Sequence, residues 1–372
     1  MAAFHGRLGL QQRVLPAYRV AFYNALSEQC PGGLSVITGQ PLAVEEIVTA
    51  DRLDKANYTL VRNWHFNDPS SSLYLCWQTG LLDWLRSWDP QVLIVEANPR
   101  YLSTRLVIGW MHTRHRPVLG WGLGAPTLSG TLAGIRQKER ALFLRSLDGM
   151  IAYSHKGAKE YCTLGLNPSQ VFLAPNADTF SPINPPPVHS KTFTCQPVIL
   201  FVGRIQTRKR IDNLLRACTS LPKEIQPRLI VVGDGPARGF FQALALQIYP
   251  QAEFVGAKSG AELNAYFTIS DLFVLPGTGG LAVQEAMSHG LPVIIAQGDG
   301  TQDMLVSPQN GWLVPPDDLD ALTQALQEAL SDPEKLRRMG AESYRIVVEE
   351  VNLEKMISAF MQAVSMVQYQ GR

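Results

Sequence analysis

Several things are missing from this chain of 372 residues. There is no C-x-x-C, and the five cysteines (Cys30, Cys76, Cys162, Cys195, Cys218) are odd in number and far apart. That argues against a disulfide framework and a zinc site, and for a reducing compartment. His112 and His115 have no ligand partner at a recognisable spacing, so no metal is expected. No uncharged apolar run approaches the roughly 18 residues of a membrane span. The start, MAAFHGRLGLQQR, has no apolar segment of the kind a secretory leader carries. The expectation is a cytoplasmic protein. Net charge is also nearly absent, at +1, which gives no support for nucleic-acid binding. The little asymmetry there is places 17 Lys/Arg against 13 Asp/Glu in residues 1–185 and 16 against 19 in the remainder. This is a mild bias towards an anionic partner in the first half.

What is present is an ordinary globular composition, 46% apolar and 17% charged, in a chain long enough for two cores. In the second half VILFVG (198–203), RLIVVG (228–233), DLFVLP (271–276), LPVIIA (291–296) and, more weakly, GWLVPP (311–316) are short β-branched runs ended by Gly, Pro or a polar turn. Helical patterns such as IDNLLRACTSL and AELNAYFTIS lie between them, so βαβ units and a parallel sheet covered on both faces are predicted. The first half repeats the plan loosely, with GLSVITG (33–39), QVLIVEA (91–97), PVLGWG (117–122) and GMIAYS (149–154) as strands. Leu81, Trp84, Leu85 and Trp88 mark one face of a helix. The proline-rich stretch 181–197 has no periodicity and reads as a linker with a cleft beside it.

Ligands of parallel sheets sit beyond the carboxyl ends of the strands. Here those positions are Gly203-Arg204, Gly233-Asp234-Gly235-Pro236 and Gly277-Thr278-Gly279-Gly280. Glycines let backbone approach a ligand, and the helix opening near Leu281 turns free N–H groups to the same place. Two ligands fit this anion site. Gly277, Gly279 and Ala282 spell G-x-G-x-x-A, with Asp299 near the distance for a ribose, which suits a dinucleotide. That loop, however, follows the third strand of its half by this reading, and it leaves GRIQTRKR (203–210) unexplained. Arg204 and Lys209, facing a helix N-terminus, suit a diphosphate.

The second half resembles the nucleotide-binding domain of retaining GT-B glycosyltransferases of family 4. FVGRIQTRKRIDNLLRA, LIVVGDGP, EFVGAKSGAELNAYFTISDLFVLP and GGLAVQEAMSHGLPVII follow that family's segments in order, and upstream YSHKGAKEY and VFLAPNADTF look like the end of its first domain. The likeness is good from about Ile151 to Val314 and only an outline before that. It implies two Rossmann-like doubly wound α/β domains facing across a cleft. These are an acceptor-side domain over 1–181, a linker over 182–197 and a donor domain over 198–349, with a C-terminal helix (350–372) returning to the first. It implies transfer of a sugar from a UDP-sugar or GDP-sugar, with no cofactor, to a glycan or lipid-linked hydroxyl, with retention. Arg204 and Lys209 would hold the diphosphate and Glu285 the ribose. The amides of Gly280, Leu281 and Ala282 would hold the distal phosphate, and the base would lie near Phe254, Val255 and Gly256. Gly203, Gly233, Gly277, Thr278 and Gly279 complete the donor site.

The chain departs from the family at Gly277, where a sugar-contacting glutamate stands eight positions before Glu285, and at Trp121-Gly122, where a histidine is expected. RVLPAYR replaces its first glycine-rich loop. Tyr18, Arg19 and Gly122 are the candidate contacts from the first domain. Arg19 at an apparent helix start opposes the dipole, which points either to a bound anion or to a tertiary salt bridge. Six of seven tryptophans lie in the first 121 residues. They read as core, or as an acceptor or membrane-facing surface aided by Arg100, Arg105, Arg114 and Arg116. The alternatives are an NAD-dependent oxidoreductase using 277–282 and a non-catalytic sugar-nucleotide-binding subunit.

Overall fold

The computed structural model describes residues 3–370, apart from 70, 72, 131, 191, 194 and 280. The chain divides into two compact units, Met1–Asp178 with Leu353–Arg372, and Thr179–Asn352.

The first unit is built on β1 (Leu8–Val14), β2 (Leu34–Gly39), β3 (Asn57–Leu60), the hairpin β4 (Asn63–Phe66) and β5 (Leu75–Gln78), then β6 (Val92–Glu96), β7 (Val118–Gly122), β8 (Gly149–Ala152) and β9 (Val171–Leu173). Seven of these form a parallel sheet in the order β3-β2-β1-β6-β7-β8-β9, and β4 pairs with β5 alone. Its helices are α1 (Val20–Glu28), α2 (Leu81–Trp88), α3 (Thr104–His112), α4 (Ala133–Arg145) and α5 (His155–Thr163). The chain's last helix (Leu353–Gln370) joins this unit and puts Leu353, Met356, Phe360 and Val364 into the same core as Leu10, Phe22, Ile94 and Trp121.

The central strand β1 was not among the sequence-derived strands. LGLQQRV carries glutamines where a strand covered on both faces is normally apolar. The buried Gln11 is held by its amide N–H, which donates to the Gln78 side-chain oxygen at 2.8 Å, and Gln78 donates in turn to the Gln12 backbone carbonyl at 3.0 Å; the Gln11 side-chain oxygen has no partner among the described residues. The edge strands β3 and β9 and the hairpin were also missed.

The second unit holds β10 (Val198–Val202), β11 (Arg228–Val232), β12 (Glu253–Gly256), β13 (Leu272–Leu275), β14 (Val293–Ala296) and β15 (Gly311–Val314), parallel, in the order β12-β11-β10-β13-β14-β15. The order reverses between β10 and β13, the switch point where open α/β sheets bind ligands. Because β12 intervenes, the 277–282 loop follows the fourth strand of the unit, not the third. α6 (Ile211–Ser220), α7 (Arg238–Ile248), α8 (Gly260–Ile269), α9 (Leu281–Ser288), α10 (Leu319–Ser331) and α11 (Pro333–Glu349) cover the sheet, and α12 is the helix at Leu353–Gln370 already described. Starts are well signalled: Asp318 caps α10 by accepting from Ala321 N at 2.9 Å, and Asp332 caps α11, with Pro333 at its first position.

Candidate functional site

The ligand-facing end of the second sheet is made of backbone. Gly203 N donates to Val232 O at 3.0 Å, Gly233 N to Gly256 O at 2.9 Å and Ile205 N to Asp234 O at 2.8 Å, so the turns after β10, β11 and β12 are stitched together. A Cβ on Gly233 (φ +140) would overlap the Gly203 carbonyl oxygen, so this junction needs glycine.

Across the switch point, Lys209 is brought onto the turn after β13. It ends a single 3-10 turn (Thr207–Lys209), is 8% exposed, and its ammonium donates to the Thr278 carbonyl at 2.6 Å. Burial, and secondarily Arg208, lowers its pKa to about 8. Arg208 donates to Thr278 Oγ1 at 2.9 Å, and Thr278 N donates back to Arg208 O at 3.3 Å. Arg204 follows β10 and is exposed. Arg210, by contrast, faces Asp317 at 3.0 Å and Asp212 at 3.5 Å. The basic run is therefore not uniform: Arg208 joins Lys209 on the 278 turn, and the half-buried Arg210 turns to Asp317 and Asp212 instead.

Gly277 has a steric reason for being glycine. Its φ is not positive. A Cβ there would overlap the Arg208 carbonyl oxygen and lie 2.6 Å from Lys209 Cα. The segment carrying Lys209 occupies the space in which a side chain at 277 would begin. Gly279 (φ +145) lies against the Lys209 ammonium, and its carbonyl accepts from the buried Gln302 amide at 3.2 Å. Leu281 and Ala282 open α9, and Glu285 lies half-buried in its second turn. Gly280 lies outside the described residues.

Phe254, Val255 and Gly256 are half-buried on the edge strand β12. Beside Gly256 (φ +79) sits a residue that sequence reasoning missed, Arg238, the first residue of α7. It donates to Asp234 at 3.0 Å, and its Nε has no hydrogen-bond partner among the described residues. A cation opening a helix against the dipole, right after the GDGP turn, was the signal available. Asp299, the dinucleotide reading's ribose ligand, is occupied locally, accepting from Thr301 N at 3.0 Å and Thr301 Oγ1 at 2.6 Å.

In the first unit, Arg19 is 4% exposed and turned into the core. Its guanidinium lies 4.9 Å from the Trp121 ring centre and 5.6 Å from that of Tyr153, and donates to the Tyr153 hydroxyl at 3.2 Å. Burial alone would lower its pKa, but Tyr153, Tyr18 and Tyr23 hold it above the ordinary value. An aromatic cage surrounds this cation, and among the described residues no carboxylate forms a salt bridge with it. Asp178 feels Arg19 too, but burial dominates and raises its pKa to about 6. Tyr18 is exposed. Gly122, ending β7, lies where a Cβ would come 2.6 Å from the Tyr161 hydroxyl.

Gly122 also lines a cavity of about 580 Å³ at the ends of β6 and β7, with Glu96, Arg100, Trp121, Arg136 and Arg140. The other arginines grouped with Arg100 from sequence are engaged elsewhere. Arg105 binds Glu139, Arg116 binds Asp89, and Arg114 stacks 3.8 Å from the Trp110 ring centre. Trp84 and Trp121 are core, while Trp64 and Trp77 are exposed. Among the described residues, no three or more His, Cys, Asp or Glu group in a way that would hold a metal.

Comparison with known proteins bears most strongly on the second unit. Residues 189–346 match the family Glycosyl transferases group 1. The chain is 37% identical over 123 residues to a GDP-mannose-dependent alpha-mannosyltransferase of Mycobacterium tuberculosis, covering 32% of this chain and 30% of that one. It is 33% identical over 151 residues to the sulfoquinovosyl transferase SQD2 of Arabidopsis thaliana, covering 39% and 29%. These matches thus span about a third of the relatives' length. Over 98% of this chain and all of the other, the fold resembles sucrose-phosphate synthase of Thermosynechococcus elongatus, with a TM-score of 0.69 at 19% identity. That likeness shows the GT-B fold.

Proposed function

Because residues 189–346 are a glycosyl transferases group 1 domain, we propose that the chain transfers a sugar from a nucleoside-diphosphate sugar to a hydroxyl of a glycan or lipid-linked acceptor, with retention. One observation carries this reading: the Lys209 ammonium, buried and without a carboxylate partner among the described residues, stands 2.6 Å from the carbonyl of the turn that opens α9. A buried cation is costly unless something compensates it. A donor diphosphate seated between Lys209, Arg204 and the first amides of α9 supplies that compensation through charge-assisted hydrogen bonds. Arg208, held on Thr278, adds charge at the same turn. Glu285 takes the ribose hydroxyls, and the base lies along Phe254 to Gly256, with Arg238 beside it.

The chemistry then asks for charge stabilisation rather than a protein nucleophile. As the bond from sugar to diphosphate breaks, negative charge grows on the phosphate oxygens, and preorganised N–H groups and cations lower the barrier at that point. With glycine at 277, the sugar is met by backbone groups of the turn and not by a carboxylate. No cofactor or metal is needed for this scheme. The reading includes peripheral contact with an anionic membrane; no helix among the described residues is long and apolar enough to cross one.

Thermal-shift titration with GDP, UDP and NAD tests the ligand class. Stabilisation by one nucleoside diphosphate and not by NAD supports the reading, and the reverse removes it. Product anomer analysis by NMR then tests retention. Tight nucleotide-sugar binding with no turnover on acceptor or water would mean a binding subunit instead.

A further inference from the structure

The cavity at the ends of β6 and β7 joins two kinds of surface. On one side Arg136 and Arg140 stand four residues apart on one face of α4, with Arg100 from the segment after β6. Like charges at this spacing repel, and among the described residues no carboxylate pairs with any of the three. Glu139 is bound to Arg105, and the Glu160 carboxylate accepts from Ala125 N at 2.8 Å. Arg140 gives one N–H to the Pro126 carbonyl at 2.6 Å. Its pKa is lowered by burial and then by Arg100 and Arg136. Two further lining residues, Trp121 and Tyr161, are each 1% exposed, and the Trp121 indole N–H has no hydrogen-bond partner among the described residues.

Part of the lining is apolar and open to solvent. Leu73, Leu123 and Ile135 form this part at 63%, 45% and 65% exposure. From Leu73 the apolar surface runs on to the β4–β5 hairpin. There Trp64 pairs across from Trp77, and both share the outward face with Phe66, exposed at 46%, 38% and 50% respectively. Contiguous exposed apolar surface of this kind marks an interaction site. A neutral glycan would leave three arginines uncompensated, and a simple anion would leave the apolar wall uncovered.

We propose that this cavity binds the acceptor, and that the acceptor is an anionic amphiphile. A phosphate or phosphodiester group lies against Arg100, Arg136 and Arg140, and a hydrocarbon chain leaves across Leu73 and Ile135 towards the hairpin. The word acceptor rests on the glycosyl-transfer reading; the binding itself does not. Bidentate guanidinium contacts suit such a headgroup, and the apolar exit sets the hairpin against a lipid surface.

The test is titration of the full chain with monomeric dihexanoylphosphatidylglycerol, dihexanoylphosphatidylcholine and inorganic phosphate, for the wild type and for Arg136→Gln/Arg140→Gln. The anionic lipid should bind at least tenfold tighter than the zwitterionic lipid or phosphate. The double variant should lose at least tenfold of that affinity while its GDP or UDP affinity stays unchanged. Equal binding of the two lipids, phosphate matching the lipid, or a double variant that binds as the wild type does would each overturn the proposal. Failure of every nucleoside diphosphate to bind would instead strike the glycosyl-transfer reading and leave the lipid result standing.

Discussion

The two sheets of this chain end in different materials. In the second unit the carboxyl ends of the strands present backbone, at Gly203, Gly233, Gly256 and the 277–279 turn, with Lys209 folded over it. In the first unit the equivalent ends of β6 and β7 present side chains, namely Glu96, Arg100, Trp121 and the Tyr161 hydroxyl over Gly122. A diphosphate is the same group in every nucleoside-diphosphate sugar, and backbone amides with one or two fixed cations suit it. Backbone geometry of this kind tolerates little substitution and leaves a repeated sequence pattern. A surface made of side chains can change with its ligand, and it carries no such pattern.

The sharpest way to break that comparison is to add a side chain where the second unit has none. Gly277→Glu and Gly277→Ala should fail alike, because the first carbon already overlaps the backbone of Arg208 and Lys209. A forced shift of this kind costs about 1–3 kcal/mol and displaces Lys209, so donor turnover should fall more than tenfold in both. The melting temperature and turnover of the pair are the measurements. A stable Gly277→Ala with Gly277→Glu turning towards neutral hexoses would show that the missing carboxylate, not the missing space, matters.

Next in size is Lys209→Met, which removes a charge-assisted contact worth about 1.5–3 kcal/mol and should weaken diphosphate binding by at least tenfold. Its stability effect runs the other way. A lysine whose folded pKa is lowered to about 8 binds fewer protons folded than unfolded between about pH 8 and 10.5. The wild type therefore gains stability as pH rises through that window, and the charge burdens the fold below it. Melting curves at pH 7 and 9.5 should show the wild type gaining on Lys209→Met at the higher pH. No relative gain would mean that the ammonium is solvated.

Smaller still, Arg208→Ala should cost several-fold in turnover by freeing Thr278, while Arg210→Ala, which breaks half-exposed ion pairs to Asp317 and Asp212 away from that turn, should leave turnover unchanged. Steady-state rates on the same donor separate them. Equal losses would return the whole run to surface charge.

The same contrast explains what could be read from sequence. β10, β11, β13 and β14 are continuous apolar runs, and the glycines after them are where the backbone comes close, so a candidate donor site could be named residue by residue from the sequence. The first unit hid its central strand behind Gln11 and Gln12, because the partner that takes the Gln11 amide N–H, Gln78, lies 67 residues away in the chain. Arg19 looked like an anion ligand because its cage of Tyr18, Phe22, Trp121 and Tyr153 is assembled from three separate stretches. Of Arg100, Arg105, Arg114 and Arg116, only the first lines the cavity, and Arg136 and Arg140 join it from a helix that was not anticipated. Gly277 was recognised as a departure, but its cause, the 206–209 segment against it, is a contact between residues roughly seventy apart.

The central claim is that the buried Lys209 ammonium holds a donor diphosphate, and calorimetric titration of the preferred nucleoside diphosphate at pH 7 and pH 9.5 tests it most directly. Wild-type affinity should be full below pH 8 and fall by roughly tenfold or more by pH 9.5 as the free lysine loses its proton, while Lys209→Met should be weak and unchanged between the two. Wild-type affinity that is flat across this range, or a Lys209→Met variant that binds as tightly as the wild type, would contradict the account.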